Sequence, residues 1–265
     1  MIHKAIFVSG AAQGIGEAIA RRFASEGAQR LALVDRNEAG LRHVAEELRR
    51  TGCEVLAIPA DLSVADECRR VVKEAETAYD SFDILVNAAG LTLRANIFDV
   101  TEDVFDRLFA VNVQAPMFII QAALPAMIEA KRGGVVINIS SMNAYGGPTY
   151  LLPYSASKAA LNALTRNVAN TVRWHRIRAH AVNLGWTVTP AETRTQTIEH
   201  GRPANWAQLE GENQPFGRLL TSDDAAALCS FLASDDATMM TGCVIDQEQW
   251  VAGTQPSRRD GLDAL

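Results

Sequence analysis

The sequence predicts an α/β fold, a single domain built on a doubly wound parallel sheet of about seven strands with helices on both faces. Three observations carry this reading. Short apolar runs at 5–8, 31–34, 55–58, 84–86, 135–139, 179–182 and 244–245 alternate with amphipathic segments, as parallel strands joined by helical crossovers require. A glycine-rich turn follows the first run. Asp- and Asn-containing segments follow later runs, where an open α/β sheet presents its ligand crevice. With 265 residues, 48% of them hydrophobic, the chain buries an adequate core as one unit over residues 1–253, leaving a polar C-terminal tail at 254–265.

The first run reads as a strand and leads into Ser9-Gly10-Ala11-Ala12-Gln13-Gly14-Ile15-Gly16, where a helix begins. Glycines there permit a tight turn and let the main chain approach a pyrophosphate, which the helix N-terminus attracts. Asp35 closes the second strand nineteen residues after Gly16, near the spacing of a ribose-binding acid. The pattern is GxxxGxG, a variant of the common dinucleotide turn. Leu41, Val44, Ala45 and Leu48 make one apolar stripe on the second helix. Asp61-Leu62 follows the third strand, and Asn87-Ala88-Ala89-Gly90 follows the fourth. Each of these segments alone also reads as an ordinary turn.

The stretch 140–158 points to hydride-transfer chemistry. Tyr154 and Lys158 are four apart at the start of an Ala/Leu-rich helical segment, so an ammonium lies one turn from a phenol. At roughly 5 Å and an effective dielectric of about 20, their attraction is about 3 kcal/mol, or roughly two pKa units toward the phenolate. Such a phenol exchanges a proton near neutral pH. Ser141, thirteen residues before Tyr154 and just past a strand, reaches for the same substrate oxygen. A Tyr/Lys pair at this spacing also occurs by chance in many helices, and the glycine turn upstream is what gives this one meaning.

A net charge of −6 disfavours nucleic acid or an anionic membrane as partner. No basic segment precedes an apolar one at the N-terminus, and no uninterrupted apolar run reaches bilayer length, so a cytoplasmic location is expected. Cys53, Cys68, Cys229 and Cys243 have no CxxC spacing and the histidines no HxxxH or HExxH pattern, so reduced structural cysteines and no metal are expected.

With these residues assembled, the sequence resembles the classical short-chain dehydrogenase/reductase family over about residues 4–253. The resemblance implies a Rossmann-like, NAD(P)-binding catalytic domain. Its glycine turn falls on Gly10, Gly14 and Gly16 with Gln13 and Ile15 between them, its adenine-side acid on Asp61 beside Leu62, and its Asn-Ala-Gly segment on Asn87, Ala89 and Gly90. It makes Tyr154 the general acid/base, Ser141 the group that orients the substrate oxygen, and Lys158 both the tuner of Tyr154 and a ligand of the nicotinamide ribose. Asn112 then supports a water-linked proton relay from Lys158, and Thr187 and Thr189 contact the nicotinamide carboxamide. Two departures stand out: Asn183-Leu184-Gly185 lacks the usual proline, putting the rigidity of that loop in question, and residues 245–250 replace a usual Gly-Gly pair, bearing on a subunit contact or the pocket edge.

Asp35 favours NAD over NADP because a carboxylate repels a 2′-phosphate, although Arg36 beside it offers that phosphate a partner. A lid over about 186–216 holds Glu192, Arg194, Glu199, His200, Arg202, Asn205, Trp206 and Gln208, which suits a sugar, polyol or other small polar secondary alcohol. Arg94, Asn143 and Trp186 join Ser141 and Tyr154 as candidate substrate contacts. Solvation of the lid charges is the competing reading, which leaves a 3-oxoacyl thioester or simple ketone as substrate. A nucleotide-sugar epimerase or dehydratase and a non-catalytic dinucleotide sensor are further alternatives. The first lacks its usual extra domain, and the second commonly loses residues this chain retains. By the same resemblance the long segments 104–128 and 153–172 pair across a two-fold axis in a homotetramer.

Overall fold

The computed structural model describes residues 4–254. The elements run β1 (Ala5–Ser9), α1 (Gly14–Ser25), β2 (Arg30–Asp35), α2 (Glu38–Arg50), β3 (Glu54–Pro59), α3 (Ala65–Tyr79) and β4 (Ile84–Asn87). Next come α4 (Glu102–Phe109), a π-helical turn (Ala110–Gln114), α5 (Ala115–Glu129), β5 (Gly134–Ser141), α6 (Leu152–Val172) and β6 (Ile177–Leu184). The chain continues through β7 (Thr187–Val188), α7 (Pro190–Arg194), α8 (Trp206–Gly211), β8 (Leu220–Thr221), α9 (Ser222–Ala233) and β9 (Val244–Gln247).

The main sheet has seven strands in the order β3-β2-β1-β4-β5-β6-β9, each adjacent pair parallel, and the seven apolar runs are its strands. Strand order reverses at β1, between β2 and β4, which is where such a sheet opens a crevice at its carboxyl ends. Successive side chains alternate between two cores. Ile6 and Val8 join α1, α2 and α9 on one face, whereas Ala5 and Phe7 join α3, α5 and α6 on the other. A parallel sheet covered on both faces in this way needs near-continuous apolar strands.

Register brings the polar strand ends to one edge: Ser9 aligns with Asn87, Asn87 with Asn138, and Ser141 with Leu184. A separate two-stranded sheet, β7 with β8, clasps the two ends of the lid segment and was not legible as an apolar run. The helical run Glu102–Glu129 is long and apolar enough on average to cross a membrane, with mean hydropathy 1.4. Its inner side chains Ala115, Ile119, Ile120, Ala123 and Met127 are buried in the core instead. All four cysteines are free. Of the polar tail expected at 254–265, all but Thr254 lies outside the described residues.

Candidate active site

A cleft of about 230 Å³ opens at the strand-order reversal, lined by Gly10, Gln13, Gly14, Ile15, Gly16, Asp35, Arg36, Asp61, Leu62, Ala89, Gly90 and Thr189 among others. Glycine is required at two of these places. A Cβ at Gly10 (φ 70°) would stand 2.6 Å from the Ala89 nitrogen, and one at Gly16 would collide with the Gly10 carbonyl. The turn therefore packs directly on the β4 loop and on its own helix. Asp35 holds it from the other side, its Oδ2 accepting from the Ala12 N–H (3.1 Å) and its Oδ1 from the Asn37 N–H (2.9 Å). The Asp61 carboxylate accepts from the Ser63 N–H (2.9 Å), which with the Ser63 side chain and the nearby Arg36 charge holds its pKa low.

The N-terminus of α1 has no side-chain cap, whereas α2, α4 and α9 are capped by Asn37, Thr101 and Thr221. Its first residues line the cleft, so free N–H groups face a space where a pyrophosphate would supply the missing acceptors. The residues present fit a dinucleotide. Not every expected cofactor residue lines the cleft. Asn87 is buried, its amide donating to Asn138 Oδ1 (2.8 Å), and the Thr187 hydroxyl donates to the Gly185 carbonyl (2.9 Å). Tyr154 and Lys158 also lie outside the cleft lining. Ala60, Ala88, Leu91, Val111, Pro190 and Ala191, not singled out from sequence, do line it as chain neighbours of the flagged positions.

Ser141, Tyr154, Lys158 and Asn112 come together beyond Gly90. Asn112 lies in the π-helical turn, where its Oδ1 accepts from Leu91 N–H (2.8 Å) and its amide donates to Leu91 O (2.9 Å) and Ser157 Oγ (3.0 Å). The Ser157 hydroxyl in turn donates to the Tyr154 carbonyl (2.7 Å). Asn112 thus ties the β4 loop to the start of α6, and its amide has no N–H left over for a water. Lys158 Nζ donates to the Ile139 carbonyl (2.9 Å) and lies 5.8 Å from the Tyr154 ring centroid. Gly90 packs beside this corner, the place of a Cβ there lying 3.6 Å from Nζ and 3.7 Å from Asn112 Oδ1, ordinary contact distances. The Ser141 oxygen accepts from Asn143 N–H (3.2 Å), which leaves its own proton to donate.

The electrostatics depart from the expectation that Lys158 lowers the phenol's pKa. Desolvation is the largest influence on Tyr154 and raises its pKa, the hydroxyls of Ser141 and Thr92 pull it back, and the Glu192 charge raises it further. Lys158 is itself buried without a carboxylate, and desolvation lowers its pKa to about 8. The sequence estimate counted the attraction between the two groups and omitted the loss of water around both.

Comparison with known proteins agrees with this geometry. Residues 10–248 match the profile of a family described as enoyl-(acyl carrier protein) reductase. A sorbitol dehydrogenase from Cereibacter sphaeroides is 31% identical over 258 residues, an alignment covering 94% of this chain and 98% of that protein. The chain belongs to the short-chain dehydrogenase/reductase family. Among solved structures of that family, L-sorbose reductase from Gluconobacter frateurii complexed with NADPH and L-sorbose superposes with a TM-score of 0.89 at 27% identity, over 96% of this chain and 98% of the other. The 3-ketoacyl-(acyl-carrier-protein) reductase from Brucella melitensis complexed with NADH gives 0.80 at 30% identity, over 93% and 97%. This short-chain dehydrogenase/reductase is therefore an oxidoreductase of CH–OH groups that uses a nicotinamide dinucleotide.

Its two departures from the family pattern meet in space. Without the proline, β6 simply extends its ladder, the Gly185 N–H donating to the Gln247 carbonyl (3.0 Å). The place of a Gly185 side chain is filled by the carboxylate of Glu248, one of the residues standing where the Gly-Gly pair is usual. Gln249 then accepts from the Phe216 N–H (2.8 Å) and Trp250 donates to Gln214 (2.8 Å), pinning the end of the lid.

Much of the lid's polarity is spent within the lid. Arg202 pairs with Glu210 (2.7 Å) and lies 5.8 Å over the Trp186 ring, and Trp186 and Trp206 rings are 5.6 Å apart. Arg194 and Glu199 are exposed. Arg94 lies 3.5 Å from His200 and over Tyr150, while the Asn143 side chain lies against Gly147. Thr92, which acts on Tyr154, was not flagged. Its only sequence signal was its place two residues past Gly90.

Proposed function

We propose that this enzyme is an NAD-dependent dehydrogenase of a sugar, polyol or other small polar secondary alcohol, acting as a homotetramer in the cytoplasm. The half-buried Tyr154 four residues before Lys158, whose Nζ lies 5.8 Å behind its ring and donates to Ile139 at the strand end that carries Ser141, carries the reaction class. A bound nicotinamide would supply the acceptor for the hydride that leaves the carbinol carbon. Tyr154 as phenolate takes the hydroxyl proton, and Ser141 donates to the same oxygen to fix its position. Lys158 lies behind the Tyr154 ring and has N–H groups beyond the one given to Ile139 for a ribose hydroxyl. Asn112 positions this corner through Leu91 and Ser157.

NAD is favoured because Asp35 stands at the cleft with its carboxylate fixed by the Ala12 and Asn37 N–H groups, where it would repel a 2′-phosphate. The sorbitol and sorbose relatives support the polar substrate, and the likeness to a 3-ketoacyl reductase favours the second reading, reduction of a 3-oxoacyl thioester or simple ketone. The deciding experiment measures kcat/KM for aldoses, polyols and simple secondary alcohols with NAD and NADP, against NADH oxidation by 3-oxoacyl thioesters. Polyol oxidation with NAD ahead of NADP is expected. Turnover confined to thioesters overturns the substrate assignment, equal use of both cofactors overturns the NAD assignment, and no turnover of any kind leaves a binding protein.

A further inference from the structure

We propose that Tyr145 and Asp246 are positioning residues for Ser141, a latch that holds the turn after this serine so that its hydroxyl is set for the substrate oxygen in advance. Resting on the oxidoreductase reading above, this role is the same for either substrate class considered there. Ser141 ends β5 and caps a 3₁₀ turn (Met142–Tyr145), its Oγ accepting from the Asn143 N–H (3.2 Å). With one lone pair committed there, the direction of the Ser141 proton depends on where the turn holds Asn143. A turn of this kind is short and has poor hydrogen-bond geometry, so it is a weak support by itself. It stops at Gly146, whose φ of 109° suits glycine, and residues 146–150 beyond it are exposed. The far end of the turn therefore depends on the Tyr145 side chain.

The Tyr145 hydroxyl donates to Asp246 Oδ1 (3.2 Å), tying the turn to β9. Asp246 lies opposite Asn183 in the β6–β9 ladder, and the same Oδ1 accepts from the Asn183 amide (2.8 Å). Asn183 is fully buried and is oriented by Asn162, whose amide donates to the Asn183 Oδ1 (3.0 Å). Asn162 is buried on α6, one turn beyond Lys158. The latch thus joins the turn after Ser141 to the end of β6 and to the helix that carries Tyr154 and Lys158. Both bonds end on one carboxylate oxygen, and charge assistance makes them stronger than neutral ones, which an exposed acceptor needs in competition with water. A serine hydroxyl left to rotate among its staggered positions has to be oriented at each turnover, whereas a preset donor acts without that reorganisation.

Asp246→Ala removes both bonds, Tyr145→Phe removes one and leaves Asn183 bonded, and Asp246→Asn keeps an oxygen for both donors. Tyr145 is 61% exposed, so its variant tests the latch even where Asp246→Ala folds poorly. With the best substrate of the panel above, kcat, KM and NADH affinity are measured for each variant, alone and combined with Ser141→Ala. Tyr145→Phe and Asp246→Ala are expected to lower kcat about 3- to 10-fold, the range of one net hydrogen bond, with KM and NADH affinity little changed, and Asp246→Asn to stay within about twofold of the wild type. In the Ser141→Ala background the same changes should cost nothing further, because the group they position is gone. An unchanged kcat in Tyr145→Phe, or an equal loss with and without the Ser141 hydroxyl, would overturn the latch while the oxidoreductase reading stood. Full turnover in Ser141→Ala alone would remove the role of Ser141 and the latch with it, and a wild type that turned over no member of the panel would sink the latch together with the oxidoreductase reading.

Discussion

At the scale of single residues, the active site sets burial against charge. Tyr154 is kept neutral in the free enzyme by desolvation, and Lys158 is drawn down to about 8 by the same cause. Oxidation needs the phenolate, so its rate should rise with pH, because the deprotonated fraction of a raised pKa grows only as pH climbs toward it. Tyr154→Phe keeps the ring and removes the proton carrier. Turnover should fall by about 10²- to 10⁴-fold, with NADH affinity measured by fluorescence titration changed little. Near-normal turnover in that variant would assign the proton to another group. The Tyr/Lys pair and Ser141 were legible in the sequence because four-residue spacing on a helix and a strand end fix their directions. The sign of the Tyr154 shift was not, since the water lost around a group depends on residues distant in the chain, Thr92 and Glu192 among them.

At the scale of elements, what the sequence made legible is what repeats with a period. All seven runs became strands of the main sheet because parallel strands buried on both faces must be continuously apolar. The π-helical turn at Ala110–Gln114 has no such signature, and the assignment of Asn112 came from the family resemblance alone. The structure gives it a physical reason: the turn aims that side chain inward to join Leu91 to Ser157. The lid was legible as polar, but how its charges pair was not, as the Arg202–Glu210 bond shows. The outer surfaces of α4 and α5 present Phe105, 44% exposed and stacked on Phe109 at 4.3 Å, and Met117, 42% exposed. Together with exposed Leu152 at the start of α6, they are the apolar groups that a two-fold pairing of these helices would cover. Light scattering at micromolar concentration should give a tetramer mass near four times 28.7 kDa. A monomer mass would remove the assembly.

At the scale of the whole molecule, acid stability should depend on one histidine inside the sheet. His180 on β6 is fully buried, and its Nε2 lies 3.4 Å from Arg178 Nη1, which itself donates to the Leu232 and Ala237 carbonyls and so cannot turn away freely. Burial first, and then the Arg178 charge, lowers the His180 pKa from 6.5 to about 4. The folded-state pKa is depressed, so the unfolded chain takes the proton first as pH falls. This contribution is complete above about pH 6.5, declines between 6.5 and 4, and is lost below. At its limit the loss is about 3 kcal/mol, a large share of a domain's usual stability. Asp224, held well below the usual carboxylate range chiefly by Arg218, acts in the same direction but further into acid. The interval from pH 7 to 5 therefore isolates the histidine from that carboxylate. His43, His175 and His200 are exposed. Urea unfolding should show wild-type stability falling across the interval, and His180→Gln, which keeps an acceptor for Arg178 and cannot titrate, should show a shallower fall even if its stability is lower throughout. Equal slopes in the two proteins would move the acid sensitivity away from His180.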